Sequence, residues 1–123
     1  MARVLIVDDD PDIRVLMQMA LSAAGHGVSE ATSADQALAA MAATPFDVVV
    51  TDLNLDAVVG GEELLRRIRQ ADAGARVIVI SGFVEAGVTG RLRELGAFEF
   101  LPKPFDLRVL AAAVANAASA GGA

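Results

Sequence analysis

Residues 4–10 read VLIVDDD, an apolar and β-branched run that ends abruptly in three aspartates. Continuous apolar runs of this length are typical of strands that are buried on both faces, as in a parallel sheet. Three further apolar runs are each followed by one polar side chain: Asp52, Ser81 and Lys103. Because sites in open parallel sheets form beyond the carboxyl ends of the strands, the sequence predicts that these polar side chains meet at one edge.

The rest of the chain alternates between strand and helix patterns. Strands are predicted at residues 3–8, 28–31, 46–52, 76–81 and 98–101. Helices are predicted at about residues 11–24, between Ser33 and Pro45, from Gly61 to Gly74, and at about residues 85–95 and 106–118. This alternation predicts right-handed βαβ crossovers and a parallel sheet covered on both faces, hence an α/β fold. We expect one domain over residues 1–118 and a flexible tail of small residues over 119–123.

Composition excludes several kinds of site and partner. With a net charge of -6 and no run of basic residues, the chain is unsuited to binding nucleic acid or an anionic membrane surface. Cys is absent and there is a single His, so thiolate metal sites are excluded and a multi-histidine zinc site is disfavoured. No apolar stretch approaches the length of a bilayer, and the N-terminal run is too short for a signal peptide, so we expect a cytoplasmic protein.

The predicted cluster of acids, hydroxyl and amine suits phosphoryl chemistry. Carboxylates that are brought together repel one another unless a cation joins them, and Mg²⁺ prefers oxygen ligands of this kind. A carboxylate beside such an ion can act as a nucleophile towards phosphorus and form an acyl phosphate. An ammonium and a hydroxyl can then neutralise the charge on the phosphoryl oxygens.

Four segments together resemble the signature of the receiver domains of bacterial two-component response regulators. The segments are Val7-Asp8-Asp9-Asp10, Asp52-Leu53-Asn54, Ile80-Ser81-Gly82 and Lys103-Pro104-Phe105. They occur in the expected order across essentially the whole chain, as in the chemotaxis-type single-domain regulators. The resemblance implies a flavodoxin-like (βα)5 three-layer sandwich whose parallel strands lie in the order 2-1-3-4-5.

The resemblance also implies how the acids divide the chemistry. Asp52 would be the phosphoacceptor and a Mg²⁺ ligand. Asp9 would bind the ion directly, and Asp8 would hold it through water or orient its partner. Asn54 would contribute its backbone carbonyl.

The remaining site residues are implied by the same resemblance. Ser81 would bond a phosphoryl oxygen after moving inward, and Lys103 would pair with the phosphoacceptor at rest and with the phosphate afterwards. Phe100 would be the switch aromatic, able to rotate between packed and exposed positions. Gly82 and Phe83 would border the access to the site.

The family's partners follow as expectations. The donor would be a histidine kinase or a histidine phosphotransfer protein, and the output would be a protein target. The chain would be a monomer or a weak dimer through the fourth helix, fifth strand and fifth helix. It would not be an enzyme, but a phosphoacceptor that assists its own phosphorylation and dephosphorylation. The sequence slightly favours a stand-alone protein over a domain cut from a hybrid kinase or a larger regulator.

Some residues depart from the family pattern or have a plainer interpretation. The loop after Asp52 is one residue longer than usual and carries Asp56, either a harmless insertion or an added negative charge near the metal. Phe83 either packs over a helix start or shields the phosphoryl group from water, which predicts slow autodephosphorylation. Asp10 is interpreted as a helix-start charge and His26 as a surface residue far from the cluster.

Three other functions remain as alternatives. A Mg²⁺-dependent phosphatase working through an aspartyl phosphate would need a second acid two residues after the nucleophile, where Asn54 stands. A flavin-binding module would need a hydroxyl-rich phosphate loop where the three aspartates lie. A receiver-like scaffold without phosphorylation is disfavoured because all the chemical positions are filled.

Overall fold

A computed structural model of the chain describes residues 2–52, 61–72, 74–81, 88–103 and 105–121. The strands are β1 Arg3–Val7, β2 Gly27–Ala31, β3 Val48–Asp52, β4 Arg76–Ser81 and β5 Ala97–Pro102. The helices are α1 Pro11–Ala23, α2 Ala34–Ala43, α3 Gly61–Ala71, α4 Val88–Glu94 and α5 Leu107–Gly121. Within these ranges no helix is both long and apolar enough to cross a bilayer.

The strands form one parallel sheet in the order β2-β1-β3-β4-β5, which confirms the predicted flavodoxin-like arrangement. In the register, Val7 lies opposite both Ala31 and Thr51, and Ser81 lies opposite Pro102. The carboxyl ends of all the strands therefore share one edge. The central strand β3, which ends at Asp52, is buried along its whole length.

Two apolar layers hold the helices onto the sheet. Alternate strand residues contribute to each: Leu5 and Val7 face the first layer, and Val4 and Ile6 face the second. The first layer lies under α2, α3 and α4 and includes Leu64, Leu65, Ile68 and Leu92. The second lies under α1 and α5 and includes Met17, Leu21, Leu110 and Val114. Each fully buried Leu or Ile contributes about 2 kcal/mol from apolar burial, so these layers supply most of the driving force for folding.

Side-chain caps start the first two helices. Asp10 Oδ1 accepts hydrogen bonds from the backbone N–H groups of Asp12 (2.9 Å) and Ile13 (3.5 Å), which confirms that Asp10 is a helix-start residue. Ser33 Oγ accepts the N–H of Gln36 at 3.2 Å, as a capping box predicts. The reciprocal bond differs, because the Gln36 side-chain oxygen accepts the N–H of Thr32 rather than that of Ser33.

The structure corrects one sequence expectation about the helices and leaves another untested. The fifth helix continues through Gly121, beyond the predicted end at Ala118, because its last turns are rich in Ala, the strongest helix former. The described part of the fourth helix is Val88–Glu94, and the predicted start near Glu85 lies outside the described residues. On α1, Met19 is 61% exposed, because the i, i+4 pair Met17 and Leu21 faces the sheet and Met19 lies on the opposite side of the helix.

A β-bulge in β5 determines which layer each of its aromatic side chains joins. Val77 pairs with Ala97 and Ile78 pairs with Glu99, so Phe98 is an extra residue in the strand. Phe98 packs in the second layer, whereas Phe100 packs in the first. Two residues apart in a regular strand, they would share a face. The bulge therefore brings Phe100 to the α4 side of the sheet.

Candidate functional site

Three of the predicted site residues meet at the carboxyl edge of the sheet. Lys103 Nζ lies 2.8 Å from Asp52 Oδ2 and 3.5 Å from Asp8 Oδ2. The position of Lys103 is set by its backbone, since its N–H donates to the carbonyl oxygen of Ser81 at 2.7 Å and continues the β4–β5 pairing. This lysine is also the only one in the sequence, because all other basic side chains except His26 are arginines.

Three carboxylates converge on the same place. Asp8, Asp9 and Asp52 each offer one oxygen, and these oxygens lie within 4.8 Å of one another. Asp8 is fully buried, Asp52 nearly so, and Asp9 is exposed. The cluster therefore has one buried end and one end open to solvent.

The buried end of the cluster is suited to a cation. Asp8 is held by its backbone N–H, which donates to the carbonyl of Ala31, and by its Oδ1, which accepts the N–H of Asp10 at 2.9 Å. Its Oδ2 is buried and accepts no hydrogen bond from the residues that the structure describes. An oriented, buried carboxylate oxygen beside two more carboxylates fits a hard divalent ion with oxygen ligands, of which Mg²⁺ is one.

Burial and the oppositely charged neighbour act in opposite directions on the pKa values of Asp8 and Lys103. Burial raises the pKa of Asp8, and the nearby charge of Asp52 raises it further, while the hydrogen bond from Asp10 and the Lys103 ammonium lower it without cancelling the rise. Burial lowers the pKa of Lys103, but the hydrogen bond and charge of Asp52 and the charge of Asp8 outweigh it. The pKa of Lys103 therefore lies above its ordinary value, and the group is an ammonium at neutral pH.

We expect Asp8→Asn to be more stable than the wild type at neutral pH when divalent metal is absent. The pKa of Asp8 is raised in the folded state above its ordinary value of 3.8. The stabilising contribution of Asp8 is therefore fully present below pH 3.8 and is lost as the pH rises through the raised pKa. The amide stays neutral, so the difference in unfolding free energy should vanish at low pH and favour the variant at neutral pH. Urea unfolding across a pH series measures it, and equal stabilities at neutral pH would contradict the expectation.

The other predicted site residues differ in how fully they are placed. Ser81 is buried at the end of β4, where its carbonyl holds Lys103. Phe100 is partly buried and packs against the first apolar layer. Asn54, Gly82 and Phe83 lie outside the described residues, so their predicted roles stay predictions.

Asp56 and His26 were also singled out from the sequence. Asp56 likewise falls outside the described residues, and its effect on the metal stays a prediction. His26 lies at the amino edge of the sheet, away from the acidic cluster, as predicted. It is partly buried, and its Nδ1 accepts the backbone N–H of Ala2 at 3.2 Å.

Sequence reasoning missed Arg14. Its Nη1 donates to the backbone carbonyl oxygen of Asp8 at 2.8 Å, so it touches the acidic segment directly. The available signal was its place on the first helix, six residues after Asp8, where the helical period brings a long side chain back over the preceding loop.

An apolar groove borders the site on the α1–α5 side. It is open, has a volume of about 390 Å³, and is lined by Ile13, Leu16, Met17, Lys103, Phe105 and Leu107. Leu16 is half exposed, as are its neighbour Val15 and Val109 at the start of α5. Because Lys103 lines both the groove and the acidic cluster, a molecule seated in the groove would lie next to Asp52.

Comparison with known proteins gives a family match over nearly the whole chain. Residues 4–115 match the model of the response regulator receiver domain. The chain is 34% identical over 116 residues to the DNA-binding transcriptional regulator NtrC of Azospirillum brasilense, a match covering 94% of this chain and 24% of that protein. It is 31% identical over 105 residues to sporulation initiation phosphotransferase F of Bacillus subtilis, covering 85% of this chain and 84% of that protein. The chain thus spans about a quarter of the NtrC relative and most of the shorter one.

Solved structures show the same fold. A CheY-like response regulator receiver domain protein from Methanospirillum hungatei superposes with a TM-score of 0.93 at 25% identity, covering 99% of this chain and 97% of that one. NtrX from Brucella abortus superposes with a TM-score of 0.91 at 32% identity, covering 98% of this chain and 27% of that one. The family resemblance and the fold predicted from the sequence are therefore confirmed.

Proposed function

Because the chain belongs to the response regulator receiver domain family, we propose that it is a phosphorylation switch whose Asp52 accepts a phosphoryl group from a phosphohistidine. The donor would be a histidine kinase or a histidine phosphotransfer protein. The observation that carries the proposal is the 2.8 Å ion pair between Lys103 Nζ and Asp52 Oδ2, beside the carboxylates of Asp8 and Asp9. A nucleophile, an ammonium and oxygen ligands for a cation are what phosphoryl transfer to a carboxylate requires.

Access and charge favour Asp52 over its neighbours as the phosphoacceptor. Asp8 is fully buried and its Oδ1 is occupied by the N–H of Asp10, so a donor cannot approach it. Asp9 is exposed at the rim of the cluster. Asp52 ends the central strand, keeps a small exposed fraction, and has the Lys103 ammonium at hydrogen-bond distance. It alone combines access with a partner that can stabilise the charge formed during transfer.

In the proposed step, a carboxylate oxygen of Asp52 attacks the phosphorus, and the bond from phosphorus to the donor nitrogen breaks with its electron pair left on the imidazole. Mg²⁺, held by Asp9, Asp52 and the Asn54 carbonyl, and by Asp8 through water, would neutralise charge on the phosphoryl oxygens. The backbone hydrogen bond to Ser81 fixes the position of Lys103. Its ammonium can therefore pair with the Asp52 carboxylate before the transfer and with the phosphoryl group afterwards.

Phosphorylation would bias an equilibrium between two states of the output surface. The new charge acts on Lys103, which directly follows β5, and Phe100 in that strand packs against the α4 side of the sheet. A change in that packing would alter the surface formed by α4, β5 and α5, which we propose contacts a protein target or a second copy. On this proposal the chain is itself the phosphorylated species in the cytoplasm and assists its own phosphorylation and dephosphorylation, so it is not an enzyme acting on a separate substrate.

Incubation with acetyl phosphate tests the proposal without requiring the natural donor. We expect one phosphoryl group per chain by intact mass in the presence of Mg²⁺ and none when the ion is chelated, with the label mapped to Asp52. Label on another residue, or label that does not depend on the metal, would contradict the proposed function. A phosphatase is not favoured by the family match.

The groove between α1 and α5 is the proposed seat of the protein donor. A donor histidine must come within bonding distance of Asp52, and in the described part of the chain an apolar groove shares Lys103 with the site. An amphipathic helix carrying the phosphohistidine matches a groove of this kind.

Leu16→Glu should slow phosphotransfer from a protein donor by about tenfold or more, because a charge in an apolar contact weakens binding by about 1.4 kcal/mol or more. Transfer from acetyl phosphate, which does not use the groove, should be unchanged. Val15→Glu is the matched control, since Val15 is equally exposed on the same helix but does not line the groove. Equal slowing in both variants, or slowing with acetyl phosphate, would contradict donor binding in the groove.

A further inference from the structure

We propose that Arg14 is a positioning residue that orients the metal-binding acids by clamping the backbone between Asp8 and Asp9. The inference rests on the proposed function, because it concerns the affinity of the acidic cluster for Mg²⁺. Two contacts carry it. Arg14 Nη1 donates to the carbonyl oxygen of Asp8 at 2.8 Å, and Arg14 Nε lies 3.4 Å from Glu30 Oε1 on β2.

The hydrogen bond from Arg14 is one of three that fix the position of Asp8. The backbone N–H of Asp8 is bonded to Ala31, its Oδ1 to the N–H of Asp10, and its carbonyl oxygen to Arg14. The remaining polar atom, Oδ2, is the one beside Lys103. Every polar group of Asp8 that does not face the cluster is therefore fixed by a hydrogen bond.

The carbonyl that Arg14 holds belongs to the peptide bond that leads into Asp9. Fixing the plane of that peptide restricts the direction in which the Asp9 side chain leaves the backbone. Asp9 is exposed, so little packing restrains it otherwise. A ligand that is already oriented loses less conformational entropy when a metal binds, and outer residues of this kind commonly change metal affinity by about tenfold or more.

Glu30 offsets the positive charge of Arg14, which would otherwise repel the metal ion. An isolated guanidinium beside the cluster would oppose the binding of a divalent cation. The Arg14 side chain is only 18% exposed, and its pairing with Glu30 makes the two side chains neutral together. The pair therefore supplies a hydrogen bond to Asp8 with little net positive field at the acids.

The test is Mg²⁺ binding to the metal-free 123-residue chain, measured by calorimetry with MgCl₂ alone. Arg14→Met should weaken binding by about tenfold. Arg14→Lys keeps the charge but cannot reach both Asp8 and Glu30, so it should weaken binding by about threefold. At saturating Mg²⁺ both variants should be labelled by acetyl phosphate at nearly the wild-type rate, because the nucleophile and Lys103 are intact. A residue that only stabilised the fold would not give this separation.

Arg69→Met is the matched control. Arg69 Nη1 also donates to a backbone carbonyl six residues away, that of Ala75, at 3.1 Å. That contact lies at the amino edge of the sheet, so its loss should leave the affinity for Mg²⁺ within about twofold of the wild type, since distant sites act independently.

The outcomes separate the inference from the proposed function. No binding by the wild type would overturn the proposed metal site and the inference with it. Wild-type affinity in both Arg14 variants, or an equal loss in Arg69→Met, would overturn the inference alone. If Arg14→Met does not fold, the affinity of Arg14→Lys decides in the same way.

Discussion

We expect Asp52→Asn to take up no phosphoryl group from any donor at any Mg²⁺ concentration. The amide has the shape of the carboxylate, and its oxygen can still accept a hydrogen bond from Lys103, so the site should keep its geometry. An amide is not a nucleophile towards phosphorus, and removing the group that forms the covalent bond lowers the rate by about 10⁴-fold or more. Intact mass after incubation with acetyl phosphate and with a phosphorylated donor protein measures the effect.

Substitutions of Asp8 and Asp9 should distinguish metal ligands from the phosphoacceptor. Asp9→Asn and Asp8→Asn should react more slowly and need more Mg²⁺, yet they should still be labelled at Asp52. Asp106→Asn is the neutral control, because Asp106 is an exposed partner of Arg108 outside the acidic cluster. A phosphorylated Asp52→Asn protein would show that another residue is the acceptor. Complete loss in Asp9→Asn at saturating Mg²⁺ would mean that the roles of the two acids have been exchanged.

The meeting of Asp8, Asp52 and Lys103 could be predicted from the sequence because two simple regularities agree. Buried parallel strands appear as continuous apolar runs, and their carboxyl ends share one edge. A polar residue that follows such a run is therefore placed without knowledge of the packing. The order of the strands needed more, since alternation of strands and helices fits several orders, and it came from the family resemblance.

The features that escaped prediction depend on packing between elements. The alternating segment Ala97-Phe98-Glu99-Phe100 suggests that both aromatic rings share one face, but the extra residue at Phe98 places them in opposite layers. The reach of Arg14 to Asp8 depends on where α1 begins relative to β1, which the cap at Asp10 determines. Neither appears in the hydrophobic pattern, because Phe98 and Phe100 are both apolar and keep the alternation of a regular strand, and Arg14 is one polar residue on a helix.

Lys103→Met should lower the unfolding free energy of the metal-free protein by about 3 kcal/mol at neutral pH, because it leaves two largely buried carboxylates without their ammonium. This is the low end of the range for breaking a buried pair, since the Lys103 side chain is 21% exposed. Methionine keeps most of the apolar stem, so packing in the α1–α5 groove should change little. The chain has no Trp or Tyr, so circular dichroism during urea unfolding is the suitable measurement.

Alkaline pH provides an internal check on this prediction. The pKa of Lys103 is raised in the folded state, so its stabilisation is fully present below 10.5 and is lost as the pH rises through the raised pKa. The wild type should therefore approach the stability of Lys103→Met in that alkaline range. A stability difference that persists unchanged there would mean that Lys103 acts through packing rather than charge.

Mg²⁺ and a second substitution identify the repulsion as the cause. Without the ammonium the cluster is more negative by one charge, so Mg²⁺ should bind Lys103→Met more tightly and raise its stability by more than that of the wild type. Adding Asp8→Asn to Lys103→Met should recover part of the loss in the absence of metal, because one of the two repelling carboxylates is then neutral. A Lys103→Met protein that is as stable as the wild type and unaffected by Mg²⁺ would show that the carboxylates do not share a site. The predicted result would mean that the Lys103 ammonium is the counterion of the carboxylates when no metal is bound. After metal binding and phosphorylation, Mg²⁺ would share that role, and the ammonium would pair with the phosphoryl group.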